Sequence, residues 1–261
     1  MERNKLATTT NQSTEKALAI LEFLAERNQP MRLLDICEAL NMNTSTVSRF
    51  ISALVRCGYV SQDAQTSRYY ITYKICRIAN LITNDQDVQI QRITHPILAE
   101  LVEVFHESAC VSIERNMQMI YIDVLTGIDK ALLSRQRIGN TAPMHCTGNG
   151  KLCLLEYSEM QLDQMIREYG LPRLTHNTIT NKQALMECLE EVRKNGVAYD
   201  DEECEEGMSC VACPIRDYTG RIIGGVSISG PTVRVNRMIH SPKLSYLHEA
   251  AKQISRELGY E

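Results

Sequence analysis

The segment at residues 33–54 constrains the fold of this chain most, because it has the pattern of two short helices joined by a tight turn. Each half carries apolar residues spaced i, i+3, i+4 and i+7, which gives each helix one apolar face. These residues are Leu33, Ile36, Cys37, Leu40, Val47, Phe50, Ile51 and Leu54. Between the halves, Asn41 suits a left-handed turn residue, and Asn43 or Thr44 suits the N-cap of the second helix. The segment therefore predicts a helix-turn-helix.

The outward positions of the second helix predict a contact with DNA. They hold small hydroxyl side chains and one cation, which can reach base edges and phosphates when a helix lies in the major groove. The expected contacts are Thr44, Ser45, Thr46, Ser48, Arg49 and Ser52. The alternative is a solvated helix in an unrelated small helical bundle.

A hairpin is predicted directly after this helix. Gly58 suits the helix C-terminus, and two β-prone runs, 59–61 and 68–72, flank a polar segment at 62–67. A hairpin in this position is a wing, whose tip at residues 65–68 would touch the phosphate backbone through Arg68. The alternative is a hairpin that only covers the edge of the core.

Length and charge predict two domains, divided near Asn84. A chain of 261 residues is long for one domain. Residues 1–84 carry 10 Lys and Arg against 7 Asp and Glu, whereas residues 85–261 carry 18 against 25. We expect a DNA-binding domain at 1–84, with a first helix capped by Ser13 or Thr14 and a linker helix at 73–83. We expect a second domain at 85–261.

The second domain is predicted to be α+β. A helical pattern runs from Ile90 to Val104 with an expected break near Pro96. Further helices are expected at 159–170, 181–196 and 244–258. The β-prone segments are 108–115, 117–125, 131–137, 197–199, 210–215 and 222–229. Strands that alternate with segregated helices indicate an antiparallel sheet covered by helices.

Composition bounds the location and the chemistry of the protein. The sequence has no apolar run long enough for a membrane span and no signal peptide, so we expect a soluble cytoplasmic protein without a membrane partner. Ten cysteines without a secretion signal are read as reduced thiols. Cys210 and Cys213 have CxxC spacing, but no second ligand pair lies nearby, so neither a metal nor a cofactor is expected.

These segments together resemble the IclR family of bacterial transcriptional regulators over about residues 13–260. The matches are the helix start at 44–49, the strand at 68–72, the Gly-Lys helix start within 143–151, the acidic segment 200–203 followed by Gly207 and Cys210, and the closing strand 227–231. Two departures stand out: Asn41 replaces a frequent Gly, and the run 147–149 replaces a Ser-Ala pattern. The second departure affects the expected shape of the effector site.

The resemblance implies a winged helix-turn-helix domain joined by a helix to a GAF-like α+β domain that binds an effector and oligomerises. It implies homodimers that often pair into tetramers, and repression or activation set by a small molecule. Because one helix-turn-helix domain buries too little surface for specific affinity, we also expect a dimer on a pseudo-palindromic double-stranded DNA operator. It also places the effector pocket at the positions of Gly150, Asp200, Cys210, Ser227 and Ser229 in this sequence.

The residues themselves favour a small organic acid as the effector. Gly148 and Gly150 open a helix whose N–H groups and dipole suit a carboxylate, and Ser227 and Ser229 lie on one face of a strand. Asp200 would repel a carboxylate, so we expect it to accept a hydrogen bond from a ligand hydroxyl, a backbone amide or a water. Each of these residues also has a purely structural alternative, such as shaping a turn or capping a strand.

Two other functional classes remain open at this point. An enzyme would use Cys210 as nucleophile with His145 or His176 as base and Asp200 as orienting group, but no catalytic signature supports it, and no catalytic residue is expected. A thiol-redox or metal-responsive regulator of the same architecture is the second alternative, prompted by the number of cysteines.

Overall fold

The computed structural model describes residues 11–82, 85–127 and 136–260. The chain divides into two compact units, Met1–Thr83 and Asn84–Glu261.

The first unit begins with the three predicted helices, α1 (Gln12–Arg27), α2 (Leu33–Ala39) and α3 (Thr44–Arg56). Their apolar faces meet in one core around Ile20, Ile36, Val47 and Ile51. The turn between α2 and α3 follows the prediction: Asn41 is left-handed, with φ of 48°. Asn43 caps α3 by accepting a hydrogen bond from the Thr46 N–H at 2.8 Å. The predicted helix-turn-helix is confirmed.

The predicted cap of α1 at Ser13 or Thr14 is wrong. Asn11 is the N-cap, and its side chain accepts a hydrogen bond from the Thr14 N–H at 3.3 Å. Asn and Ser are nearly equivalent as N-caps, so composition alone does not choose between neighbouring candidates.

The wing is the antiparallel pair β1 (Val60–Gln62) and β2 (Tyr69–Ile71). Its tip is fixed by Asp63, whose Oδ1 accepts hydrogen bonds from the Thr66 N–H and the Thr66 hydroxyl, both at 2.7 Å. Helix α4 (Lys74–Ile82) follows, within the segment predicted as a linker helix.

The predicted break at Pro96 does not occur, because helix α5 runs without interruption over Asp85–Phe105. Pro96 removes one backbone donor from the helix. Its side chain is exposed, so the carbonyl that loses its partner lies on the side of the helix that faces water. A proline on a solvated face is therefore tolerated in mid-helix.

The second unit is built on an antiparallel sheet with the order β5-β4-β3-β8-β7-β6. Its strands are β3 (Ser108–Arg115), β4 (Gln118–Leu125), β5 (Thr141–Ala142), β6 (Ala198–Asp201), β7 (Met208–Arg216) and β8 (Ile222–Pro231). The short β5 was not predicted. The predicted strand at 131–137 lies mostly outside the described residues, and its last two residues, Gln136 and Arg137, belong to no strand.

Helices cover both faces of this sheet and confirm the α+β class. They are α6 (Gly148–Leu154), α7 (Glu159–Tyr169), α8 (Lys182–Asn195), α9 (Thr232–Ile239) and α10 (Leu244–Glu257). Helices α5, α9 and α10 pack on the face that carries Val111, Val211 and Val226. Helices α6, α7 and α8 pack on the face that carries Cys110, Tyr121 and Ala212. Within the described ranges, no helix combines the length and the apolarity that crossing a bilayer requires.

Candidate functional site

The outward face of α3 is open, as the sequence predicts. Thr44, Ser45, Ser48, Arg49 and Ser52 are exposed. Thr46 is half-buried, and its N–H is engaged in the cap, so it offers less surface than its neighbours.

Arg49 is held next to the core of the first unit. Its guanidinium carbon lies 4.9 Å from the centroid of the Phe50 ring, and Phe50 is buried. A cation over an aromatic ring is attracted by the ring's negative face, which restricts the side chain without covering its donors. The outward face of α3 therefore carries one restrained cation, Arg49, beside small hydroxyl groups.

Arg68 directly precedes the return strand β2 of the wing and is half-buried. Its carbonyl accepts the Asp63 N–H at 2.8 Å, which ties it to the ordered tip. The neighbouring tip residues Gln65, Thr66 and Ser67 are exposed. The wing thus carries one cation and several polar donors.

A cavity of about 430 Å³ lies in the second unit between α6 and the sheet. Five of the six predicted effector residues line it: Gly148, Asp200, Cys210, Ser227 and Ser229. The topology brings them together, because β6, β7 and β8 are neighbours and α6 packs across them. The described lining includes two carboxylates, Asp200 and Glu205, and no Lys or Arg.

Gly150 does not line the cavity and has a packing role instead. A Cβ added to Gly150 would lie 2.4 Å from the Cα and the carbonyl oxygen of Met144 and 2.6 Å from the Thr147 Oγ1. Its N–H donates to Thr147 Oγ1 at 3.3 Å. Gly150 therefore lets α6 approach the preceding loop, and the expectation that its amide binds a ligand is not supported by this geometry.

The start of α6 offers fewer free donors than the sequence indicated. Gly148 lies against β7: an added Cβ would be 2.9 Å from the Ala212 Cβ and 3.0 Å from the Cys210 Sγ. The Gly148 backbone N–H lowers the pKa of Cys210, which partly opposes the effect of burial. Burial raises the pKa of Cys210 well above its ordinary value, so the thiol is neutral.

Hydroxyl groups on adjacent strands form the polar floor of the cavity. The Asn149 Nδ2 donates to Ser112 Oγ at 2.8 Å and to Ser227 Oγ at 3.5 Å. Ser229 Oγ donates to Gln136 Oε1 at 2.9 Å. Ser112 and Asn149 were missed as site residues, although Ser112 repeats the signal that identified Ser227, a small hydroxyl inside an apolar strand.

Asp200 is buried at the cavity wall. Its Oδ1 accepts the Glu203 N–H at 2.8 Å and the Cys204 N–H at 3.3 Å, which is one of the roles predicted for it. Burial raises the pKa of Asp200 to about 7, and these backbone hydrogen bonds only partly oppose that effect. Near neutral pH a large fraction of Asp200 is protonated, so this carboxyl can also donate a hydrogen bond.

This raised pKa predicts a pH dependence of stability. The folded protein binds the Asp200 proton more tightly than the unfolded chain, so the stabilisation is complete below about pH 4 and is lost as the pH rises through about 7. Relative to Asp200→Asn, we expect the wild-type free energy of unfolding to fall by on the order of 3 kcal/mol across this window. Urea unfolding at a series of pH values measures the difference.

Asp201→Asn is the matched control, because Asp201 is the exposed neighbour on the same strand. It should follow the wild-type pH profile. Parallel profiles for wild type and Asp200→Asn would show that Asp200 is ionised throughout the window.

Lys151 is not a ligand-binding cation, although it ends the Gly-Lys segment. Its side chain is 1% exposed, and its Nζ donates to the Tyr199 carbonyl at 2.8 Å and to Glu203 Oε1. Burial is the largest single effect and lowers the pKa of Lys151, but the Glu203 carboxylate together with Cys188 and Asp200 outweighs it, so the net pKa is raised. This buried ion pair connects α6 to the loop after β6.

The arrangement does not support the enzyme and metal alternatives. His145 Nε2 lies 3.2 Å from the Pro172 carbonyl oxygen, and His176 lies near Glu206 on the surface, so neither is paired with Cys210. Cys210 and Cys213 pack on opposite faces of β7, since only Cys213 belongs to the α5 and α10 core. Two thiols on opposite faces of a strand cannot bind one metal ion.

Comparison with known proteins gives matches over both units. A family model for the IclR helix-turn-helix domain matches residues 13–64, and one for the C-terminal domain of the bacterial transcriptional regulator IclR matches residues 84–256. The transcriptional regulator KdgR of Escherichia coli is 30% identical over 248 residues, which cover 95% of this chain and 93% of KdgR. The transcriptional repressor YiaJ of Escherichia coli is 30% identical over 254 residues, covering 96% and 89%.

The fold is also similar to that of solved structures. The crystal structure of the Thermotoga maritima IclR has a TM-score of 0.77 and 29% identity, and the match covers 95% of this chain and 99% of that chain.

Proposed function

This chain belongs to the IclR family of bacterial transcriptional regulators, and on that basis we propose that it binds a specific DNA operator under the control of a small organic acid. The supporting observation is the combination of an open helix-turn-helix face in one unit and a polar cavity in the other. We propose that the protein acts in the cytoplasm, where its operator lies.

We propose that α3 reads the operator in the major groove and that the wing fixes its register. Arg49 is exposed and restrained by Phe50, which suits bidentate hydrogen bonding to a base edge. Ser45, Ser48 and Ser52 supply shorter donors on the same face. Arg68, at the wing, is assigned to a phosphate.

The regulator acts as a homodimer, with tetramers as a further assembly. A single helix-turn-helix unit buries too little surface for tight specific binding, whereas paired units read two half-sites about one helical turn or a multiple apart. The operator is therefore pseudo-palindromic double-stranded DNA.

The effector is a hydroxy or keto acid. Ser112 and Ser227 accept from Asn149 Nδ2, so their hydroxyl hydrogens are available for a carboxylate or a keto oxygen. The Ser229 hydroxyl donates to Gln136 and would turn to the ligand when the ligand replaces that contact. Asp200, with its pKa near 7, is partly neutral and does not exclude an acid. The N-terminal end of the α6 dipole adds a smaller favourable contribution, since the Gly150 amide already donates to the Thr147 side chain.

The roles of the two arginines are separable by measurement. Arg49→Ala should weaken operator binding by about 1 to 3 kcal/mol and relax sequence preference, because a base contact is lost. Arg68→Ala should weaken operator and random DNA alike and flatten the dependence of affinity on salt, because a phosphate contact is lost. Fluorescence anisotropy with a selected operator and a scrambled duplex over a range of salt measures both effects.

Arg193→Ala is the control, since Arg193 is an exposed cation of the second unit. It should bind both duplexes as the wild type does. Equal losses on operator and scrambled DNA for Arg49→Ala would reject its assignment to a base.

A further inference from the structure

A second cavity lies on the other face of the sheet of the second unit. It has a volume of about 330 Å³ and is formed by the end of β7, one side of α10 and Tyr260 after α10; we call it the α10 cavity. We propose that the α10 cavity is a binding site for a phosphate monoester with a flat aromatic body. This site is separate from the effector cavity and takes a different class of ligand.

The charged groups in the described lining of the α10 cavity are cations. Arg216 comes from β7, and Lys252 and Arg256 come from successive turns of α10. The described lining contains no Asp or Glu, although residues 85–261 carry 25 acidic residues against 18 basic ones. The effector cavity has the opposite pattern, with two carboxylates and no Lys or Arg in its described lining. Cations that converge on one cavity favour an anionic ligand.

The carboxylates near these cations leave them available for a ligand. Lys252 Nζ lies 2.8 Å from Glu249 Oε1, but both side chains are more than half exposed, and an exposed pair of this kind is weak enough to be exchanged for a ligand. Arg216 Nη1 lies 3.9 Å from Glu156 Oε1 and donates to the Gly220 carbonyl at 2.7 Å. A guanidinium has five N–H donors, so others remain for an anion.

Hydrogen bonds hold the walls of the α10 cavity together. The Arg216 N–H donates to Ser255 Oγ at 3.0 Å, and the Ser255 hydroxyl donates to the Ala251 carbonyl at 2.7 Å. The Tyr260 N–H donates to the Ser255 carbonyl at 2.9 Å. These contacts tie the end of β7 and the residues after α10 to one turn of that helix. The cations and the Tyr260 ring are therefore positioned before a ligand binds, which lowers the entropic cost of binding.

The apolar part of the lining favours a flat ring. Tyr260 is 37% exposed, and its ring centroid lies 6.0 Å from the guanidinium carbon of Arg216. Pro214 and Ala251 add apolar surface to the same cavity. An aromatic ligand can pack on the exposed Tyr260 ring while its anionic group reaches the nearby cations.

A phosphate suits three cations better than a carboxylate does. A phosphate monoester carries a charge of about −1.5 to −2 at neutral pH and three strong acceptor oxygens, whereas a carboxylate carries one charge on two oxygens. Arg216 and Arg256 can each present a forked pair of donors, and Lys252 adds a point charge. The volume of the α10 cavity lies within the range of roughly 300 to 1,000 Å³ that is typical of small-molecule sites.

The test is isothermal titration calorimetry of the full-length protein with 1-naphthyl phosphate. We expect one bound probe per chain, with an affinity that falls as the salt concentration rises, because exposed charges are screened. 1-Naphthol, inorganic phosphate and 1-naphthoate each lack one part of the recognised group and should bind at least about 10-fold more weakly. Absence of binding by 1-naphthyl phosphate, or equally tight binding of any of the three analogues, would overturn the proposal.

The double variant Lys252→Gln, Arg256→Gln locates the bound probe. Both side chains are exposed, so the fold should be retained, and we expect 1-naphthyl phosphate to bind about 10-fold or more weakly. Arg193→Gln is the matched control, because it removes an exposed cation of α8 that does not line the cavity, and it should bind the probe as the wild type does. Full affinity in the double variant would place the probe elsewhere and contradict the proposal. The titration involves neither the operator nor an acid effector, so its outcome is independent of the proposed function.

Discussion

Lys151→Met is expected to lower the free energy of unfolding of the second unit by about 3 to 5 kcal/mol, because it leaves the Glu203 carboxylate buried without a partner. Glu203 is 7% exposed, and its Oε2 has no hydrogen-bond partner among the described residues, so Lys151 is the group that compensates its charge. Urea unfolding followed by circular dichroism measures the loss.

The double variant Lys151→Met, Glu203→Leu identifies the cause. It removes both charges and should regain much of the lost stability, since apolar replacement of a whole buried ion pair is often neutral. Lys194→Met, in an exposed pair with Glu191, should leave stability nearly unchanged. A double variant as unstable as Lys151→Met would contradict this explanation. The loss of stability would then come from the lost packing of the lysine side chain and not from the broken ion pair.

Gly150→Ala is expected to destabilise the second unit by about 3 kcal/mol or more, because the new Cβ would overlap the backbone of Met144. The new Cβ would lie 2.4 Å from the Met144 Cα and carbonyl oxygen. Both are backbone atoms, which cannot relieve the overlap by rotating as a side chain does. The midpoint of urea unfolding should fall accordingly.

Gly196→Ala is the matched control for this substitution. Gly196 caps α8 with φ of 71°, and nothing lies within 4 Å of an added Cβ, so only the left-handed backbone is strained. Its cost should be about 1 kcal/mol. A loss of the same size for Gly150→Ala would show that α6 can shift away from the Met144 loop without penalty.

The sequence predicts the first unit well because its signals are local. The stripe around Val47 and Ile51, the turn at Asn41 and the cap at Asn43 all act within a few residues of one another. Pro96 shows the limit of this reasoning, since its effect on α5 depends on which side of the helix faces water.

The cavity is predicted only in part because it is formed by residues far apart in the chain. Ser227 and Ser229 are found from strand alternation, but the contact between Ser112 and Asn149 depends on the packing of α6 against β3. Likewise, the sequence places Lys151 at a helix start and cannot show that Glu203 neutralises it. Contacts between α6 and segments far from it in the sequence decide these roles.

The most direct test of the proposed function is the effect of small acids on the complex between the full-length protein and its operator. Anisotropy titrations with a panel of hydroxy and keto acids should reveal at least one that changes operator affinity by roughly 5-fold to 150-fold. Ser227→Ala combined with Ser229→Ala should abolish this response, whereas Ser245→Ala, on an exposed helix face, should retain it. A double variant that responds as the wild type does would place the effector outside this cavity and contradict the account.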